Sequence, residues 1–371
     1  MRKTDLDTPS LIIDSGTLRH NIEWMQKVAD RFGVRLRPHV KTHKSPHIAR
    51  RQMEAGACGI TVAKLDEAEV MTDGGLEDIL IANQIIGSAK IARALELARR
   101  VRLAVLVDSQ AGVEMLERAA SVTGQILDVL IEVDTGKGRC GLVNDEEIVA
   151  LAGRVADASH LRLRGVETHE GHVPRGAGGP GELQERAVAA GARIVEVAEI
   201  LRGQGHPVEE VSVGSTPAAP YTASVEGITE MRPGTYVFND VNQMALGQAH
   251  PEECALSVLA TVISRPAPDR AVLDAGSKSL FAEAARSGFA LEGYGGFGYI
   301  REASGARIVS LSEEHAVVNL AAGVDFPDIG DKVTIIPNHV CPAVNLHDEL
   351  HIVDGEDVIE TWPIAARGAI R

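Results

Sequence analysis

The sequence predicts an α/β protein: an N-terminal (β/α)8 TIM barrel followed by a C-terminal antiparallel β domain. Three observations carry this expectation. Short apolar, β-branched runs alternate with helix-period segments through the first two thirds of the chain, the pattern of parallel strands joined by crossover helices. The alternation lasts for about eight units, which suits a closed barrel better than an open sheet. Beyond about residue 240 the helical segments stop and β-type runs follow one another closely.

In order, LIID (11–14) precedes TLRHNIEWMQKVADRF, VRLRPHV (34–40) precedes PHIARRQMEAGA, and GITVA (59–63) precedes KLDEAEVMTDGG. DILIAN, RLAVLV, ILDVLIEV, LRLRGVETH and VEEVSVGS continue the series, with helical partners such as SAKIARALELARRV and GELQERAVAAGARIVEVAEILRG. ALSVLATVISRP, RAVLDAGS, ARIVSLSE, HAVVNL, DKVTIIPN and ELHIVDG make the second domain. The barrel is placed at 15–240 and the β domain at 241–371, with residues 1–14 joining the latter. No low-complexity linker separates them, so the junction should be packed, and such clefts favour ligand sites.

Composition bounds the function. The 371 residues are 44% apolar and 24% charged, which excludes a mainly disordered chain. With 37 basic and 52 acidic residues the net charge is −15, and no Lys/Arg stripe interleaves with aromatics, which argues against nucleic acid as a partner. A small anionic substrate would need a local cationic pocket. Cys58, Cys140, Cys254 and Cys341 lie far apart without a CxxC pair, which points to a reducing compartment rather than disulfide staples. No apolar signal core or membrane-length run is evident, so a cytoplasmic protein without a membrane partner is expected.

Six stretches carry chemistry-bearing residues. RPHVKTHKSPH (37–47) puts Lys41 at a strand end, where a barrel builds its site; it is either a desolvated amine suited to Schiff-base chemistry or part of a solvated basic loop. DTGKGRCG (134–141) formally matches a dinucleotide fingerprint through Gly136, Gly138 and Gly141, but reads better as a glycine-rich loop delivering Arg139 to the barrel mouth. THEGH (168–172) offers His169 and His172 as bases, ligands or solvated loop residues. VGSTP (213–217), with RPGTYVFND (232–240) after it, presents Gly214, Ser215 and Thr216 where late barrel loops hold phosphates, or else as an ordinary Gly-Ser turn. PNHVCPAVNLHDEL (337–350) contains His339-x-Cys341, which on a strand would put both side chains on one face. Thiolate and imidazole suit zinc or a similar borderline metal. Two ligands are half a closed structural site, so the pair is either an open coordination sphere or a chance occurrence.

Taken together, these stretches resemble the D-serine dehydratase and D-threonine aldolase group, the metal-assisted branch of pyridoxal-phosphate enzymes with an alanine-racemase-like fold. DTPSLIID, LRPHVKTHK, GITVAKLDEAE, VDTGKGRCG, VGSTP, RPGTYVF, DAGSKS, SEEH and PNHVCPAVNLHDEL carry the resemblance in order over nearly the whole chain. It implies that Lys41 binds pyridoxal 5'-phosphate covalently, that Gly214, Ser215 and Thr216 hold the phosphate with Tyr236 as a further contact, and that Arg139 and His169 lie beside the ring. His339 and Cys341 become ligands of a divalent metal, zinc first, with manganese or magnesium as alternatives. Lys41 and His172 are the catalytic candidates, and a homodimer is suggested by the related fold.

The implied activity is that of a lyase on small 3-hydroxy-D-amino acids, most simply a D-serine-type dehydratase giving a 2-keto acid and ammonia. The alternatives are a D-threonine aldolase giving glycine and an aldehyde, and an amino-acid racemase, which would not need His-x-Cys. The group's aldolases carry an acid where this chain has Cys341 and a histidine where ungapped alignment gives Arg175. Its dehydratases share His-x-Cys and a Gly-His pair like Gly171-His172. The group usually has tyrosine where this chain has His169, a departure beside the cofactor ring.

Overall fold

The computed structural model describes residues 1–284 and 295–371. Eight strands form one all-parallel sheet in the order Arg35–Leu36, Glu230–Met231, Glu210–Val213, Leu161–Glu167, Leu127–Glu132, Arg102–Val107, Asp78–Gln84, Ile60–Val62. Its two ends meet: the amides of Cys58 and Thr61 donate to the carbonyls of Leu36 and Pro38, each at 2.8 Å, and a parallel bridge joins His39 to Thr61. The sheet therefore closes on itself, as the strand–helix alternation predicts.

Alternation within strands separates the two faces of the barrel wall. Leu80, Leu106 and Leu130 form one apolar cluster, while their neighbours Ile79, Ile81, Val105, Val107, Val129 and Ile131 belong to the main core. One set fills the barrel and the other packs under the helices. Charges gather at the N-terminal ends of the strands: buried Arg37 contacts Glu230 at 2.8 Å and Asp78 at 2.6 Å, and Arg164 contacts Asp128 and Glu210. That end is tied shut by ion pairs, leaving the C-terminal rim to carry the loops.

The second sheet runs Ala306–Leu311, Ala316–Leu320, Arg270–Leu273, Leu256–Ala267, Ser10–Asp14, Glu349–Asp354, Asp357–Pro363, with Lys332–Ile336 pairing to both Leu256–Ala267 and Tyr299–Ile300. Pairing is antiparallel except between Ser10–Asp14 and Glu349–Asp354. LIID thus opens the alternating series but lies in this sheet, and the barrel's eighth strand is the two-residue Glu230–Met231. The carboxylate of Asp14 then caps the first long helix, Ser15–Phe32, by accepting from the Thr17 amide at 2.7 Å.

Candidate functional site

A cavity of about 800 Å³ opens where the barrel rim faces the second sheet. Its wall includes His39, Lys41, His169, Gly214, Ser215, Thr216, Arg232, Asp240, His339 and Cys341. A second pocket of about 200 Å³ shares His39, Lys41, His169, Gly214 and Arg232 with it and adds Gln84, Glu132, Arg139 and Glu167. Polar groups from six barrel strand ends converge there, at the C-terminal face where barrels place their chemistry.

Lys41 sits in a single 3-10 turn, Val40–Thr42, directly after the first barrel strand. Burial lowers its amine below the usual lysine value, with Arg139 and Arg232 acting in the same direction and Cys341 and Glu67 opposing. This favours the neutral, nucleophilic amine. The other lysine of the motif is spoken for: Lys44 Nζ donates to Glu67 Oε1 at 2.5 Å and to the Ala369 carbonyl at 3.1 Å.

The glycine-rich loop is organised by Asp134, whose carboxylate accepts from the amides of Gly136, Lys137 and Gly138 at 2.8, 2.6 and 2.7 Å. The amides that would cradle a pyrophosphate are thus taken by the chain itself, and the loop instead places Arg139 against Glu132 at 3.2 Å. Gly136 has φ +129, and a Cβ there would meet the His172 ring at 2.9 Å. His172 is therefore packed against this loop. The cavity lining reaches its neighbours Gly171 and Arg175 but does not include His172.

His169 is fixed by donating from Nδ1 to the Gly214 carbonyl at 2.5 Å, and burial, aided by Lys41, lowers it to about 3; it is a neutral ring. The Gly214 amide donates to Glu170 at 2.9 Å, and a Cβ on Gly214 would lie 2.9 Å from Arg232 Cβ, so only glycine lets the turn lie this close. Beside it the Ser215 hydroxyl is buried with no partner among the described residues, a cost that a ligand acceptor would relieve. Thr216 Oγ1 accepts from the Tyr236 amide at 3.1 Å. Tyr236 itself is buried, its hydroxyl accepting from Gln52 Nε2 at 2.9 Å. It supports the turn from behind and is not part of the cavity lining.

Under this turn lies a charge pair that sequence motifs do not reveal. Buried Arg232 donates to the Glu167 carboxylate, the Ser212 hydroxyl and the Thr168 carbonyl. Burial pushes Glu167 up to about 7, with Glu132 adding to the shift and Arg232 opposing it. His39 is also not singled out by the motifs; it is buried, lines both cavities, and its Nδ1 has no partner among the described residues.

His339 and Cys341 are not on a strand. The strand ends at Ile336, His339 caps the short helix Val340–Val344, and Cys341 lies in its first turn. The two side chains are nonetheless close enough for each to shift the other's titration. Burial would lower His339, but Cys341, Asp240 and Glu283 raise it to about 9. Burial would likewise raise Cys341, but His339 and Thr42 bring it below the usual thiol value. Thr42 Oγ1 is 3.3 Å from the sulfur. Beside Lys41, the Cys341 sulfur and the His339 ring, once it yields a proton to an ion, offer an open two-donor set facing the cavity. Among the described residues, Asp108, Glu132 and Cys140 also cluster, but Gln84, Arg139 and the Gly141 amide already bond the carboxylates.

Known proteins resemble this chain in sequence and fold. Residues 13–241 match the model of the alanine racemase N-terminal domain, and residues 255–353 match the putative serine dehydratase domain. The chain is 38% identical to D-threonine aldolase from Arthrobacter sp. over 371 aligned residues, covering 99% of this chain and 94% of the relative. It is 37% identical to D-threo-3-hydroxyaspartate dehydratase from Delftia sp. (strain HT23), covering 96% and 97%. A solved structure of a cysteine-to-alanine mutant of D-threo-3-hydroxyaspartate dehydratase, in the metal-free form, superposes with a TM-score of 0.89 at 34% identity, covering 98% of each chain. The chain accordingly belongs to the family of lyases that joins an alanine racemase N-terminal domain to a serine dehydratase domain and includes D-threonine aldolase and D-threo-3-hydroxyaspartate dehydratase.

Proposed function

We propose that this protein is a pyridoxal-phosphate- and metal-dependent dehydratase of 3-hydroxy-D-amino acids, releasing a 2-keto acid and ammonia. The observation that carries the reading is one cavity wall holding both a lysine lowered by burial, Lys41, and a histidine–cysteine pair, His339 and Cys341. The Ser215 hydroxyl, without a partner among the described residues, and the side-chain-free Gly214 suit a phosphate at the rim. Arg139 and neutral His169 then flank the ring position. Bound there, pyridoxal phosphate supplies an electron sink for charge developing at the substrate α-carbon. A divalent ion on His339 and Cys341 supplies Lewis acidity that helps the β-hydroxyl depart. Zinc is the ion of choice, because thiolate and imidazole donors fit it better than magnesium, and the relative solved in a metal-free form supports a metal in this family.

The chain's own groups do the proton work. Lys41 Nζ, kept partly neutral by burial, takes the α-proton. Retro-aldol cleavage needs a base for the β-hydroxyl proton instead, and the near-equal identity to an aldolase makes it the second reading. At the position that ungapped alignment gives to the aldolase histidine, the cavity wall holds Arg175, a permanent cation that cannot act as a base. His172, the nearest histidine in sequence, packs on Gly136 instead. Both features favour dehydration. Chelation, or Cys341→Ala, is expected to abolish most turnover while the cofactor's visible absorbance persists. Full turnover by the chelated enzyme would remove the metal from this reading.

A further inference from the structure

We propose that Glu283 is a positioning residue for the metal pair, fixing the His339 ring so that Nε2 is the nitrogen offered to the ion. This rests on His339 and Cys341 being metal ligands. Glu283 Oε2 lies 3.1 Å from His339 Nδ1. A neutral imidazole has one N–H and one bare nitrogen, and whatever accepts from the first decides which nitrogen can coordinate. An ionised carboxylate only accepts, so Nδ1 keeps its proton, and Nε2 is the nitrogen that gives up its proton to the ion.

The glutamate is held in place by the motif it serves. Asn338, itself buried, donates from Nδ2 to the Glu283 carbonyl at 2.9 Å. Two consecutive residues, Asn338 and His339, therefore bind the backbone and the side chain of the same glutamate. Four residues upstream, the Ser279 carbonyl accepts from His347 Nε2 at 3.0 Å, so the segment 279–283 is docked on the 338–347 loop at several points. Between these contacts Phe281 adopts φ +67 as the chain leaves the short helix Ser277–Leu280. A bulky residue in the left-handed region is strained and persists where surrounding contacts enforce it. The turn directs Glu283 at His339. A carboxylate on the far nitrogen of a ligating histidine also makes the near nitrogen a better donor, and losing it typically weakens metal binding by about 10–100-fold.

The test is zinc affinity. Cofactor-loaded full-length protein is stripped of metal and titrated with Zn²⁺ against a chromophoric chelator, for the wild type, Glu283→Ala and Glu283→Gln. Glu283→Ala is expected to bind zinc about 10–100-fold more weakly, and Glu283→Gln, which keeps an acceptor without the charge, by a smaller factor. The cofactor's visible absorbance should be unchanged in both, which separates a positioning effect from general damage to the fold. Wild-type zinc affinity in Glu283→Ala would overturn the positioning role alone. Failure of the wild type to take up zinc would overturn the metal-ligand reading of His339 and Cys341, and the inference with it. Should Glu283→Ala lose the absorbance, Glu283→Gln decides: weakened zinc binding supports the role, and unchanged affinity rejects it.

Discussion

Replacing Arg232 by methionine tests the floor of the cavity. Arg232 is 4% exposed, and its guanidinium makes three hydrogen bonds, to Glu167, Ser212 and the Thr168 carbonyl. Methionine fills much of the same volume but supplies none of these, leaving the buried Glu167 carboxyl beside Glu132 with no cation in contact. Breaking a buried pair from one side costs about 3–5 kcal/mol. Glu167 has a second effect. Its folded pKa of about 7 lies above the ordinary carboxyl value, so its protonated form is favoured by folding, and this contribution, fully present below the ordinary value, is lost as pH rises through about 7. The penalty of Arg232→Met should therefore be larger at pH 8 than at pH 5. The assay is guanidinium unfolding at both pH values, with Arg232→Met/Glu167→Gln alongside; removing the stranded carboxyl should recover at least about 1 kcal/mol. A single-mutant loss under about 1 kcal/mol, or a double mutant losing the sum of both singles, would refute the account.

Two further predictions concern the same pocket. Because Lys41 is lowered, covalent uptake of pyridoxal phosphate by the apo-protein should accelerate with pH and level off below about 10.4, the value of a free lysine side chain. A rate that keeps climbing through that pH would show an ordinary solvated lysine, and Lys41→Ala should show no uptake. Gly214→Ala puts a methyl 2.9 Å from Arg232 Cβ and 3.1 Å from its carbonyl oxygen; overpacking of this kind costs about 1–3 kcal/mol, and cofactor affinity measured by equilibrium dialysis should fall with it. Unchanged affinity and melting temperature would mean the turn has slack that the structure does not show.

The barrel and most of the cavity wall were legible because their signals are local. Strand–helix alternation gives parallel strands, and strand ends give the rim, so Lys41, Arg139, His169 and the Gly214–Thr216 turn could be placed from short motifs. What escaped depends on distant partners or on very short elements. Arg232 and Glu167 are 65 positions apart, and Glu283 and His339 are 56 apart; no periodicity links them. Glu230–Met231 is too short to show a pattern, while Ser10–Asp14 has a strand pattern that cannot say which sheet it joins. His172 and Tyr236 stand in the right motifs, yet neither lines the cavity: the His172 ring lies close to Gly136, and the Tyr236 hydroxyl bonds Gln52. The His-x-Cys pair was found from residue type, but on the supposition of a strand, where the chain in fact turns into a helix.

The central claim is the reaction itself, and product analysis tests it most directly. Purified, zinc-replete protein is incubated with D-serine, D-threonine and 3-hydroxy-D-aspartate, each against its L-form, and the products are identified. Dehydration predicts a 2-keto acid and ammonia in equal amounts from a D-substrate only. Glycine with an aldehyde or glyoxylate would contradict it, and would mean that a site with Cys341 on the metal and Arg175 on the wall supports carbon–carbon cleavage.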